Sequence, residues 1–206
     1  VAAWGLACLA LGARASGGRL VAWSLAAGLL LGWCVMSSYG LPLLGFLALA
    51  VLRLARSWRP LPIAAGAALA VVLTFAVLGF AWWEAYPVLN DRYWDGIAAD
   101  RPAAYWMWGN LGALVICAGP MLGAGIASLR RSGDRVVVLL VLAAGAAVVA
   151  ADLSRMSKAE VERIWLPFVP WLLLATALLP ARWRRWGLLV QVVWALLVQH
   201  LLYTSW

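Results

Sequence analysis

Eight nearly unbroken apolar stretches run along the chain, at about 1–13, 20–36, 39–52, 61–83, 104–129, 136–151, 164–180 and 187–206. Short polar connections separate them. A helix crosses a hydrocarbon core of about 30 Å with about 20 such residues. The pattern therefore predicts an all-α polytopic transmembrane bundle of about eight spans. The first stretch covers only about 20 Å at 1.5 Å per residue, and it begins at Val1 without a basic flank. It reads as a span entered part-way, in a fragment lacking its N-terminal spans, and not as a signal peptide. No period of 20–50 residues recurs and no Gly/Ser- or Pro-rich linker intervenes, so residues 1–206 read as a single transmembrane domain.

Eight spans put alternate connections on alternate sides. One set then holds Arg14, Arg19, Arg53, Arg56, Arg59, Arg130, Arg131, Arg135, Arg182, Arg184 and Arg185, eleven bases against the single acid Asp134. The other holds five bases and seven acids. Short loops rich in Arg and Lys stay in the cytoplasm, which sets the first group inside and both termini outside. Trp58, Trp82, Trp83, Trp106, Trp108, Trp165, Trp183, Trp186 and Trp206 cluster near predicted span ends, at the headgroup level that amphipathic rings prefer. The turn at Ser37, Ser38, Tyr39 and Gly40, followed by Pro42, fits either a tight external hairpin or a break within one bent element.

Composition agrees with a membrane protein. The chain is 66% apolar and 12% charged, with a mean hydropathy of +0.92, whereas soluble domains average about 45–50% and about 25%. A water-soluble globule and a disordered tail are both excluded. The net charge of +8 does not indicate nucleic-acid binding, because the bases are scattered through short loops instead of forming one soluble face. Arg outnumbers Lys fifteen to one, which points to a GC-rich bacterial genome. Cys8, Cys34 and Cys117 each lie in an apolar run without a C-x-x-C or a His partner, and are expected to be buried, inert thiols.

Chemistry is expected on the outer connections, since loops on a rigid scaffold commonly carry function. In the segment from Glu84 to Arg101, Asp91 and Asp95 stand four apart, so one helical turn puts both on one face. With Arg92, Tyr93 and Trp94 they could bind a divalent cation, act as general base or hold a sugar ring. The alternative is an interfacial helix with hydrated acids. In the segment from Asp152 to Arg163, Ser157 and Glu160 have capping-box spacing, which predicts a helix from about Lys158. Pro167 and Pro170 interrupt it and deprive the carbonyls of Arg163 and Leu166 of their usual partners. Lys158, Arg155 or Arg163 could hold a phosphate, or the turn could be merely self-paired.

The remaining span positions are poor in polar groups: Asn110, Thr74, Thr176, Gln191, Gln199 and His200. Asn110 could face an outer cavity, and His200 reads as an interface residue. Gly28 with Gly32, and Gly119 with Gly123, have G-x-x-x-G spacing, which carries little weight in so Gly-rich a chain. No nucleotide-binding or hydrolase motif occurs.

Short basic inner turns and acidic, aromatic outer loops resemble the membrane part of the GT-C glycosyltransferases. The similarity rests on Asp91-Arg92-Tyr93-Trp94-Asp95-Gly96, on Arg101-Pro102 with Tyr105-Trp106 and Gly109-Asn110-Leu111, and on Lys158 through Pro167. The resemblance implies the C-terminal half of such an enzyme, using a polyprenyl-phosphate sugar as donor at the cell membrane. The catalytic carboxylate of that superfamily lies on an earlier external loop, so none is assigned here. A non-catalytic membrane subunit and a transporter or flippase are the alternatives; few ionisable groups at membrane depth and no inverted repeat speak against the last. The expected substrate-binding residues are Asp91, Arg92, Tyr93, Asp95 and Asn110 on one wall of an outer cavity, with Lys158, Glu160 and Arg163 on the other.

Overall fold

The computed structural model describes residues 1–96, 98–159 and 161–202, with Glu162 as backbone only. Among the described residues the structure is helical, with no strand. The chain forms two compact units, Val1–Arg101 and Pro102–Trp206.

The first unit contains α1 (Ala2–Arg14), α2 (Gly17–Ser37), α3 (Leu44–Ala55) after a 3₁₀ turn at Leu41–Leu43, α4 (Pro60–Val77) and α5 (Trp82–Asp95). Helix α2 packs on α1 and α4, and α1 also packs on α3. Cys8, Leu9, Ala27, Leu52 and Ala64 form a core where α1 to α4 meet. Local chemistry ends each helix. Arg56 takes a left-handed conformation (φ 52°) beyond α3, and Pro60, whose missing N–H is no loss at a first turn, starts α4. The Ser37–Gly40 segment separates two helices, for α3 packs against α1 and does not continue α2.

The G-x-x-x-G pair of α2 turns out to matter. A Cβ on Gly28 would run into the Ala64 carbonyl oxygen and stand 2.6 Å from the Ala67 Cβ, and one on Gly32 would stand 2.8 Å from the Ala68 Cα. Both approaches are shorter than side-chain contacts allow. Glycine at these positions lets the α2 and α4 backbones touch, a mode of close packing common between membrane helices.

The second unit contains α6 (Ala103–Ala118), α7 (Met121–Ser128) with a 3₁₀ turn to Arg131, α8 (Arg135–Leu153), α9 (Val161–Ile164), α10 (Val169–Leu173) continuing as a 3₁₀ segment Leu174–Leu178, and α11 (Ala181–Leu201). Asp134 caps α8: its Oδ1 accepts from the N–H groups of Val136 at 2.9 Å and Val137 at 3.1 Å.

Among the described residues, α2, α4 and α8 are long and apolar enough to cross a membrane, and α6 with α7 makes a fourth if that pair is one span. Eight apolar runs thus yield three or four span-length helices. The shortfall has local causes. Helices α1 and α3 are short, the 104–129 run bends by 100° between α6 and α7, and the 164–180 run is broken around Pro167, whereas Pro170, also expected to interrupt it, sits in the first turn of α10 where its missing N–H is no loss. Helix α11 is long but opens with three arginines and carries Gln191, Gln199 and His200.

Candidate functional site

The second unit holds a cluster of polar groups buried where α8 ends. Asn110, in the middle of α6, is 2% exposed; Asp152, one residue from the end of α8, is 9% exposed. The Asn110 Nδ2 donates to Asp152 Oδ1 at 2.8 Å and to the Ser157 carbonyl at 2.9 Å. The Ala159 N–H donates to Asn110 Oδ1 at 3.1 Å. One amide thus fastens α6 to the end of α8 and to the strand of chain that follows. A buried amide without such partners would be costly, so these bonds fix the register of the segment.

The chain after α8 is shaped by its own hydroxyls. The Ala151 carbonyl accepts from Ser154 Oγ at 2.6 Å and from Ser157 Oγ at 3.3 Å, satisfying an acceptor that the helix end leaves free. Arg155 and Ala159 are left-handed, with φ 57° and 63°. Ala159 in that conformation prevents a helix from running through it, and α9 begins at Val161. The helix expected from Lys158 therefore starts three residues later. The Ser157 hydroxyl donates back to the Ala151 carbonyl. Its capping partner, Glu160, which was also an expected site residue, lies outside the described residues.

Lys158 is buried, 6% exposed, close in sequence to Asp152 and to the negative pole that a helix C-terminus presents. Arg163 is exposed on α9. The Leu166 carbonyl, expected to lack a partner, accepts from the Val169 N–H at 3.2 Å, because the chain turns there as 3₁₀. Trp165 is fully buried, and its indole N–H finds no acceptor among the described residues.

The first unit carries the other expected residues on α5. Asp91, Arg92 and Asp95 are exposed and Tyr93 is half-buried, its ring edge-on to Trp94 at 5.6 Å. At the start of α5, Trp82 stacks on Tyr86 at 5.9 Å, and Tyr39 packs on both. Among the described residues no three His, Cys, Asp or Glu side chains converge where a metal could sit.

Two features escaped the sequence. The first is the joint between α6 and α7, where Gly119 (φ 82°) precedes Pro120. Gln191 of α11 bridges the broken backbone: its Nε2 donates to the Ala118 carbonyl at 2.7 Å, and its Oε1 accepts from the Met121 N–H at 3.4 Å. Trp194 Nε1 donates to the Ile116 carbonyl at 2.9 Å. A Cβ on Gly119 would collide with the Gln191 amide. The Ala-Gly-Pro sequence was the available signal, since glycine alone readily takes a backbone of φ 82° and ψ 164° and proline cannot continue the helix before it. The second is a cavity of about 600 Å³ lined by Met121, Leu174, Trp183, Arg184, Leu188 and others. Arg184, expected as a plain orientation anchor, stands on its lining. Cys117 departs from expectation too: Cys8 and Cys34 are buried, whereas Cys117 is exposed.

No protein-family model, curated protein or solved structure matches the chain.

Proposed function

We propose that this is a multi-span protein of the cell membrane with both termini outside, and that its second unit forms part of a GT-C-type glycosyltransferase using a lipid-linked sugar donor on the extracytoplasmic face. The membrane setting is supported by α4, of which only Pro60, Ala64 and Ala67 are buried. A helix that is apolar all round belongs in a protein core or in lipid.

The observation that carries the functional reading is the buried group of Asn110, Asp152 and Lys158 at the end of an apolar, span-length helix. Ionisable groups at such a depth are expensive and are commonly kept for function. In this reading Asn110, itself bonded to Asp152, holds the backbone at Ser157 and Ala159, so that Lys158 and the exposed Arg163 lie near a lipid phosphate. Arg163 supplies a planar fork that grips phosphate in two places.

A second reading, a non-catalytic membrane subunit, is favoured by one fact. Both N–H groups of the Asn110 amide are spent inside the protein, as a purely structural clamp would have them. The two are separated by binding of a polyprenyl phosphate to the full-length protein in detergent. Arg163→Gln should weaken binding about tenfold, the loss of one charge-assisted contact. Arg14→Gln, in the first unit, should leave it unchanged. Equal binding by both variants would remove the donor site and leave the subunit.

A further inference from the structure

We propose that the second unit binds one anionic phospholipid, with an acyl chain in the cavity between α7, the Val169–Leu178 segment and the start of α11, and the headgroup phosphate on Arg184. The inference shares the membrane setting with the reading above but not its glycosyltransferase activity.

The cavity has the size of a ligand site, about 600 Å³ against a usual range of about 300–1,000 Å³. Its walls are mostly hydrocarbon: Met121, Leu173, Leu174 and Leu188 among them. The polar side chains within it are already committed. Gln191 is bonded to the backbone at Ala118 and Met121, and the Thr176 hydroxyl donates to the Leu173 carbonyl at 2.7 Å. A polar ligand would gain little from these walls. An acyl chain gains their apolar contact and loses nothing.

The charge lies on α11. Arg182 stands over the Trp183 ring, 5.6 Å from its centroid, and is occupied there. Arg184 is exposed, borders the cavity, and makes no ion pair among the described residues. A guanidinium offers a bidentate fork to phosphate, and basic pockets between membrane helices take anionic headgroups. Trp183, also on the lining, is a ring of the kind that sits at headgroup level. An apolar slot ending in an unpaired arginine and a tryptophan is complementary to a phospholipid: chain inward, phosphate at the rim.

The test is native mass spectrometry of the full chain released from neutral detergent, with phosphatidylglycerol or phosphatidylcholine added. The wild type should retain phosphatidylglycerol about fivefold over phosphatidylcholine, the preference expected from one basic group at a membrane surface. Arg184→Gln should bring that ratio to about one, and Arg184→Lys should restore most of it. Leu174→Trp, which fills the slot, should lower retention of both lipids, and inorganic phosphate should displace neither. Equal retention of the two lipids by the wild type, an unchanged ratio in Arg184→Gln, or displacement by inorganic phosphate would each overturn the proposal.

Discussion

Asn110 is the position where a small change should have the largest effect on the second unit. Asn110→Ala deletes three hydrogen bonds, to Asp152, Ser157 and Ala159. Hydrogen bonds between membrane helices average about 0.6 kcal/mol and reach about 1.7 kcal/mol, so three average bonds come to about 2 kcal/mol. Leaving the buried Asp152 carboxyl without its donor adds about 1–3 kcal/mol. The expected loss is about 3–5 kcal/mol. Asn110→Asp makes the argument sharper. It keeps the volume but removes both donors and sets a carboxylate against Asp152, where a donor at 2.8 Å had been. Two acidic side chains facing one another in a buried site, with no donor between them, are costlier than an alanine, so this variant should be the less stable of the two. Reversible unfolding in bicelles at pH 8 measures both variants. Hydrogen exchange over residues 150–164 should rise in each. If Asn110→Asp matched the wild type at pH 8, or Asn110→Ala lost less than about 0.5 kcal/mol, packing would account for the cluster and the hydrogen bonds would be incidental.

Gly28→Val should cost at least about 1–3 kcal/mol by forcing α2 away from α4, whereas Gly145→Ala, whose Cβ would meet open space, should be neutral or gain up to about 1 kcal/mol; equal effects in thermal unfolding would refute the crossing. Asp134→Ala should cost about 1 kcal/mol by uncapping α8, and Asp134→Asn should recover most of it; unchanged exchange of the Val136 and Val137 amides would count against the cap. For topology, single cysteines at Ala99 and Gly133, in a background without Cys8, Cys34 and Cys117, should react with an impermeant reagent from opposite sides, Ala99 from outside. Ala98 is unsuitable for the purpose, being 2% exposed.

Helix positions were legible because apolar runs and their charged borders report local chemistry. The ends of α2, α4 and α8 fall within a few residues of the predicted borders, apart from α4, whose helix stops at Val77 where Gly79 turns left-handed (φ 98°). Span count was less legible, because an apolar run does not say whether its helix is continuous. Pro167 announced one break, while Pro170 starts α10 instead of interrupting a helix; Gly119-Pro120 announced another, but Gly119 was read with Gly123 as a packing motif. The Asn110 cluster was invisible for a different reason. Asn110 and Asp152 lie 42 residues apart, and only the packing of α6 beside α8 makes them partners. Asp134 shows the same limit at short range: counted as a lone acid among bases, it serves the first turn of α8 as an acceptor.

The 100° bend between α6 and α7 also decides a question of parity. If that pair enters the bilayer and returns to the side it came from, every later connection changes sides. Arg130, Arg131, Arg135, Arg182, Arg184 and Arg185 then cross over, and Arg155, Lys158 and Arg163 come back, leaving eight bases on each face. The imbalance of eleven to five that orients the eight-run map would vanish. On the eight-run map, where basic loops set the orientation, that imbalance is kept only if the bent pair carries the backbone across. On that map Gln191, by bonding to the backbone on both sides of the joint, would hold together a crossing on which the sidedness of the later loops depends.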